Sequence, residues 1–247
     1  MTIRTEEELN GMRRVGQLVA RTLDAMEAAV APGVTTAQLD TIARDLATAH
    51  GARSAPQLTY DFPGFTCISV NDEIVHGIPG ARVLREGDLV TLDVTLELNG
   101  YMADSARTVA VGTPPRGGAQ LLRMAREALE AGVTAARPGR RVRDVGAAID
   151  RCVRSHGGRV FRELAGHGIG RQLHEEPTVP NWDDPEADMV LHEGLVLAVE
   201  PMLAGRAARV VEDDDGWTYR THNGALAVHQ EHTIVVRAGG AEILTLA

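Results

Sequence analysis

A chain of 247 residues, 44% of them hydrophobic, is long enough to bury a substantial core and lies within the range of a single domain. Its net charge of −9, without any basic run, offers no surface suited to neutralising nucleic-acid phosphates or an anionic membrane. All 25 basic residues are arginine, which excludes Schiff-base lysines, Ser-Lys dyads and the lysine-bearing phosphate loop. Cys67 and Cys152 lie far apart outside any C-x-x-C pattern, so neither a disulfide framework nor a zinc finger is indicated. No run of about 18 apolar residues occurs and the start, TIRTEEELN, is charged, so a cytoplasmic location is expected.

From the N-terminal end, Thr5 with Glu8 predicts a capping box, and Leu9, Met12, Val19, Leu23 and Met26 form the apolar stripe of a long helix. Pro32-Gly33 breaks it, and a second helix is predicted to end at His50-Gly51. Tyr60, Phe62 and Phe65 then cluster in a chain that is only 3% aromatic. Such clustering suits a pocket wall, with packing of a β-segment as the competing explanation. His76 follows in a Gly/Pro-rich loop.

Residues 87–98 alternate strictly. Val90, Leu92, Val94, Leu96 and Leu98 point one way, and Thr91, Asp93, Thr95 and Glu97 the other, as a strand with one apolar face requires. Asn99-Gly100 is a strong hairpin signal, because both central positions of a type I′ turn need positive φ. With that turn, Leu98 faces Tyr101, Thr95 faces Asp104 and Asp93 faces Ala106. Asp93 and Asp104 become diagonal neighbours on one face, with backbones roughly 7–8 Å apart. That spacing suits two cations about 3.5–4 Å apart.

Beyond the hairpin the punctuation begins again. Pro138-Gly139 and His156-Gly157 repeat the earlier pairs 106 residues later, where Leu23 matches Leu129, Ala25 matches Ala131 and Leu39 matches Val145. The repeat predicts an α+β domain over residues 1–247, duplicated at about 5–110 and 111–247. Each half would be an antiparallel sheet backed by helices, related by a pseudo-two-fold with the site between them. His167 follows within Gly166-His167-Gly168-Ile169-Gly170, where missing side chains allow close approach of a ligand, and His174 lies seven residues on in a charged loop. Glu200 and Glu231 lie in strand-like settings. Four carboxylates (Asp93, Asp104, Glu200, Glu231) and one imidazole (His167) form a ligand set for two divalent cations, because a carboxylate can bridge.

Five segments closely resemble type I methionine aminopeptidases in order and spacing: CISVNDEIVHGIPG (67–80), LDVTLELNGYMADSART (92–108), GHGIGRQLHEEP (166–177), EGLVLAVEPML (193–203) and HQEHTIVV (229–236). The resemblance runs from about residue 5 to the end. It implies the pita-bread fold and removal of initiator methionine from nascent polypeptides when the second residue is small. It also implies a dinuclear centre in which Asp93 chelates one cation, Asp104 and Glu231 bridge both, and His167 and Glu200 complete the other shell. His174 would donate to the scissile carbonyl oxygen, Glu200 would carry the water's proton to the leaving amine, and His76 would position the substrate. Phe62, Cys67, Leu173 and Trp217 would hold the methionine side chain. Leu173 replaces an aromatic residue usual in the family, and Thr59 stands where tyrosine is common. Mn, Fe(II), Co or Zn are the candidate metals, the carboxylate-rich set favouring harder ions than a structural zinc site. Nascent N-termini are the implied partners, with transient ribosome association and a monomeric state expected.

Two other classes are weighed against this. An Xaa-Pro peptidase of the same fold usually carries a sizeable extra N-terminal domain, and only a short helical lead precedes the first motif here. A metal-free peptide-binding module would have lost ligands, and all five stand. Cys67-His76 nucleophilic catalysis lacks a partner set. His50 and His156 suit helix-end capping, and His192, His222, His229 and His232 carry no pattern, although His232 could steady its neighbour Glu231.

Overall fold

The computed structural model describes residues 1–246. Helix α1 (Glu6–Ala28) starts where the sequence predicts, with Thr5 Oγ1 accepting from Glu8 N at 3.2 Å. The reciprocal half of the box differs from expectation. The Glu8 carboxylate accepts from Arg4 N at 2.8 Å, one residue before the cap, and lies 3.6 Å from the Arg171 guanidinium. Leu9, Met12, Val19, Leu23 and Met26 are all buried in the core of the first half. Helix α2 (Thr36–Ala49) carries a complete capping box from Thr35 and Gln38.

The second half repeats this pair as α4 (Gly118–Ala135) and α5 (Val142–Ser155). α2 and α5 begin and end 106 residues apart in sequence. The glycines after the two prolines, Gly33 and Gly139, have φ +92 and +83, and those after the two histidines, Gly51 and Gly157, have φ +76 and +79. Left-handed backbone of this kind ends helices and favours glycine. His50 Nδ1 donates to Leu46 O at 2.9 Å and His156 Nδ1 to Cys152 O at 3.0 Å, so both rings cap the preceding turn.

Between the helix pairs lie β1 (Arg53–Ser54), the short helix α3 (Ala55–Tyr60), β2 (Cys67–Val70), β3 (Glu73–Val75), β4 (Leu89–Leu98) and β5 (Tyr101–Ala110). The β4–β5 register is the expected one, pairing Leu98 with Tyr101, Thr95 with Asp104 and Asp93 with Ala106. Asn99 and Gly100 turn with φ 53 and +80, and Glu97 steadies the turn by accepting from Gly100 N at 2.7 Å. One sheet contains β1, β2, β4 and β5, all antiparallel. The apolar face of β4 packs on α1 and α2, and its polar face is turned inward rather than to solvent. Thr91 and Thr95 are each only 3% exposed, so the second half of the molecule covers that face.

The chain continues through β6 (Arg159–Val160), β7 (Ala165–Gly168), β8 (Glu175–Pro180), β9 (Val196–Val199), β10 (Met202–Ala204), β11 (Val210–Glu212), β12 (Tyr219–Thr221), β13 (Ala227–His229), β14 (His232–Arg237) and β15 (Gly240–Ile243). The second main sheet runs β15-β14-β9-β7-β8, and α4 and α5 pack over a second apolar core that includes Ile149, Leu197, Val199 and Ile234. Smaller sheets, β13-β10-β6 and β11-β12-β3, complete the fold, the latter joining the halves through β3 and β12. No helix among the described residues is long and apolar enough to cross a membrane.

Candidate metal centre and adjoining pocket

Strand β5 is stitched to the segment 229–233, and this brings candidate ligands from the two halves together. Asp104 N donates to Thr233 Oγ1 at 2.9 Å, Thr233 Oγ1 donates to Asp104 O at 2.8 Å, and Ser105 Oγ donates to Glu231 O at 2.6 Å. Glu231 N donates to Ala106 O at 2.9 Å. Asp104 and Glu231 therefore approach side by side although 127 residues separate them. On the other side, β7 pairs with β9, His167 facing Ala198, so that Glu200 just beyond β9 reaches the same space. Asn181 Nδ2 donates to Glu200 O at 3.0 Å and anchors that strand end.

Asp93, Asp104, His167, Glu200 and Glu231 line one cavity of about 600 Å³, with His76 and His174 at its walls. Burial raises the pKa of all four carboxyls. At Asp93, Asp104 and Glu200 add their charge to that effect, and at Glu231, Asp104, Glu200 and Asp93 do. Burial likewise pushes the His167 imidazole down to about 3, so the ring is neutral and its nitrogen lone pair is free. Its Nδ1 donates to Gly168 O at 2.9 Å, which leaves the Nε2 lone pair available to a cation. Asp104 Oδ1 and Glu231 Oε1 are buried without a hydrogen-bond partner. A crowd of desolvated carboxylates with orphaned oxygens is poorly stable alone and fits divalent cations. Atoms able to bind a cation fall here into two close triplets, Asp104/His167/Glu231 and Glu200/His229/Glu231, sharing Glu231.

A smaller cavity of about 80 Å³ opens from the first and shares Asp93, Asp104, His76 and His174 with it. Phe62, Cys67, Leu173 and Trp217 all line it, with Tyr60 and Pro56. Phe62 and Trp217 meet edge to face, with centroids 5.1 Å apart and planes at 85°. Cys67 pairs with Asp93 across β2 and β4, and burial raises its thiol pKa well above the ordinary value, which removes it as a nucleophile. Thr59 is exposed and absent from these walls. Its neighbour Tyr60, the last residue of α3, brings an aromatic ring there instead. Phe65 packs into the core of the first half.

His76 adopts a left-handed backbone, φ 60, unusual for a residue with a side chain, and burial lowers its pKa to about 4. Gly77 next to it has no room for a Cβ, which would come 2.4 Å from Ile68 O. His174 stands edge-on to His167, ring centroids 4.2 Å apart, and the Tyr60 hydroxyl is hydrogen bonded to its Nδ1. Burial lowers the pKa of His174 as well.

Tyr60 lines the pocket as its aromatic clustering suggests, but its contact with His174 and the place of His229 went unread in the sequence. Tyr60 holds His174, and no local pattern announces that contact across 114 residues. His229 is only 1% exposed, and its Nε2 lies 3.4 Å from Glu200 Oε2 and 3.7 Å from Glu231 Oε2. A signal existed for this one. In extended backbone residues two apart share a face, so His229 follows Glu231 inward while His232 turns away, where its Nδ1 meets Thr245 Oγ1 at 2.9 Å. The imidazole beside Glu231 is thus not the expected His232 but His229, three positions earlier.

Residues 10–238 match the model of the metallopeptidase family M24. A protein named methionine aminopeptidase from Clostridium perfringens is 40% identical over 99% of this chain and 98% of its own length. Methionine aminopeptidase 2 of Bacillus subtilis is 38% identical over 99% of both chains. The crystal structure of methionine aminopeptidase from Thermotoga maritima superposes with a TM-score of 0.96 at 38% identity and covers 100% of each chain. A prolidase from Pyrococcus furiosus shares the fold, with a TM-score of 0.80 at 22% identity, over 100% of this chain and 66% of its own. Coverage from end to end, the shared pita-bread architecture and a buried carboxylate-rich centre agree that the chain belongs to metallopeptidase family M24.

Proposed function

We propose that this chain is a methionine aminopeptidase that holds two divalent cations with Asp93, Asp104, His167, Glu200 and Glu231, and removes initiator methionine from protein N-termini. The observation that carries the reading is the shared wall between the two cavities. Asp93, Asp104, His76 and His174 face both the carboxylate-rich centre and the small aromatic-lined pocket. A side chain seated in that pocket leaves its own backbone at the ligands, the geometry an exopeptidase acting on the first residue needs. Phe62 and Trp217 suit a thioether, since sulfur packs well at ring edges.

When bound, divalent cations bring the pKa of a coordinated water towards neutrality and polarise a carbonyl. Glu200, with two carboxylate oxygens, would accept a proton and return it to the departing amine nitrogen. With the Tyr60 hydroxyl donating to His174 Nδ1, the proton of the neutral ring sits on Nε2, which donates to the scissile carbonyl oxygen as charge develops there. His76, fixed by its left-handed backbone, orients the amide or the second residue. The ligand set admits Mn, Fe(II), Co or Zn. All 247 residues act as one catalytic domain, a duplication divided near residue 110. The monomer works in the cytoplasm on nascent chains, with transient ribosome contact.

Titration of chelator-treated protein with Co(II) or Mn(II), followed by assay on Met-Ala-Ser and Ala-Pro-initiated peptides, tests this. Two equivalents bound and release of methionine only from the first peptide are expected. One equivalent, or preference for Ala-Pro, would refute it.

A further inference from the structure

The two oxygens of Glu200 face two different imidazoles at the same distance. Oε1 lies 3.4 Å from His167 Nε2, and Oε2 lies 3.4 Å from His229 Nε2. The rings differ at their far nitrogens. His167 Nδ1 has a carbonyl to donate to, Gly168 O at 2.9 Å, so its proton rests there and Nε2 presents a lone pair. Neither ring nitrogen of His229 makes a hydrogen bond, but Nε2 has Glu200 Oε2 at 3.4 Å and Glu231 Oε2 at 3.7 Å. A proton on Nδ1 would be a donor without an acceptor, which is costly in a dry interior, whereas at Nε2 a small shift of a carboxylate suffices to accept it. A metal-binding histidine almost always has an acceptor for its second N–H, and His229 has none.

The backbone at His229 is also fixed. Its N–H donates to Thr108 Oγ1 at 2.8 Å and its carbonyl accepts from the same hydroxyl at 2.8 Å, while Thr108 is held by Thr91 Oγ1 at 2.7 Å. The ring is thereby aimed from β13 at the outer oxygen of Glu200. We infer that His229 is a positioning residue, not a ligand, whose Nε2–H donates to Glu200 Oε2 and holds the spare oxygen that carries the proton. This rests on the assignment of Glu200 as ligand and proton carrier. His167 and His229 then divide one carboxylate between metal binding and proton transfer.

Side-chain length separates the possibilities. The amide nitrogen of glutamine reaches the position of Nε2, and that of asparagine only the position of Nδ1. His229→Gln is expected to keep kcat on Met-Ala-Ser within about threefold, and His229→Asn and His229→Leu to lose about tenfold or more at unchanged KM, as loss of a hydrogen bond to a charged group predicts. The visible spectrum and stoichiometry of bound Co(II) should match wild type in all three. Equal loss in the Gln and Asn variants, or no loss in either, would overturn the donor role. A Co(II) spectrum or stoichiometry showing one ligand fewer would make His229 a ligand and overturn it as well. If the leucine variant does not fold, the Gln and Asn pair decides alone. Wild-type protein inactive on Met-Ala-Ser would refute the aminopeptidase reading instead, while the Co(II) spectra still report on His229.

Discussion

Helices α1–α2 and α4–α5 are punctuated at equivalent residues, yet the sheets beneath them deliver the proposed ligands by different routes. The first sheet supplies Asp93 and Asp104 from one hairpin, across a single turn. The second supplies His167 from a strand and Glu200 and Glu231 from two strand ends, and long-range pairing alone gathers them. A ligand pair on one hairpin is fixed by local pairing, so its geometry survives as long as the turn does. Ligands on separate strand ends depend on every contact that keeps the halves together, such as Thr233 to Asp104 and Ser105 to Glu231.

The sharpest way to break this contrast is at the hairpin. Asp104→Asn leaves the turn intact, since Asn99-Gly100 specifies it, but removes a charge beside Glu231. The variant should fold, lose most of its bound metal and fall by more than about 10³-fold in kcat/KM. Unchanged metal occupancy would remove Asp104 from the ligand set. His174→Ala tests the opposite bank. It should keep its metal and lose roughly 10²-fold in kcat, because a donor to the developing oxyanion acts on the transition state. Metal loss on substitution would make His174 a ligand.

The same contrast decides what could be read in advance. Register, turn and both aspartates follow from residues 87–104 because alternation and the Asn-Gly turn leave one pairing. The helix pairs follow from stripes and Pro-Gly breaks. His167, Glu200 and Glu231 could be listed as potential ligands by residue type and setting, but their separate roles came only from resemblance, since nothing local says that β7, β9 and β14 are neighbours. The place of His229 and the hydrogen bond between Tyr60 and His174 went unread for the same reason. The inward turn of Thr91 and Thr95 was hidden too, because a polar face looks alike whether it meets water or a buried site.

Removing the metal should expose the strain of the assembled carboxylates. Their folded pKa values are raised, so the native state binds more protons than the unfolded chain above about pH 4, and stability falls as pH rises. His167, near 3, and His229, near 4, act in reverse, but only below their unfolded value of about 6.5. Above about pH 6.5 the imidazoles no longer contribute. Chelator-treated protein should therefore lose Tm as pH rises through the raised folded values of the carboxyls, by about 2–4 °C for each kcal/mol lost in a chain of this size. Metal-loaded protein should change less, and parallel curves would argue against a cation-compensated cluster.

A smaller effect is expected at the pocket. Leu173 is 3% exposed and closes the aromatic-lined cavity with an aliphatic chain. Leu173→Phe narrows that space and should improve the preference for Met- over Leu-initiated peptides by about 1–3 kcal/mol in kcat/KM, the usual value of one apolar size change. An unaltered ratio would mean that the side chain does not touch the substrate.

The smallest test returns to the likeness of the halves. Gly51 and Gly157 end α2 and α5 with φ +76 and +79, and a Cβ added at either meets nothing within 4 Å. An alanine there gains no clash and loses no contact, so its cost is that of a left-handed backbone, about 1–2 kcal/mol. Gly51→Ala and Gly157→Ala should lower the unfolding free energy equally, within a few tenths of a kcal/mol, and add in the double variant because separate helix pairs carry them. Denaturant unfolding with metal bound provides the comparison. A clearly larger loss in one half would show that its helix end supports the sheet beneath it in a way the other does not, and the structural equivalence of the pairs would not extend to energy.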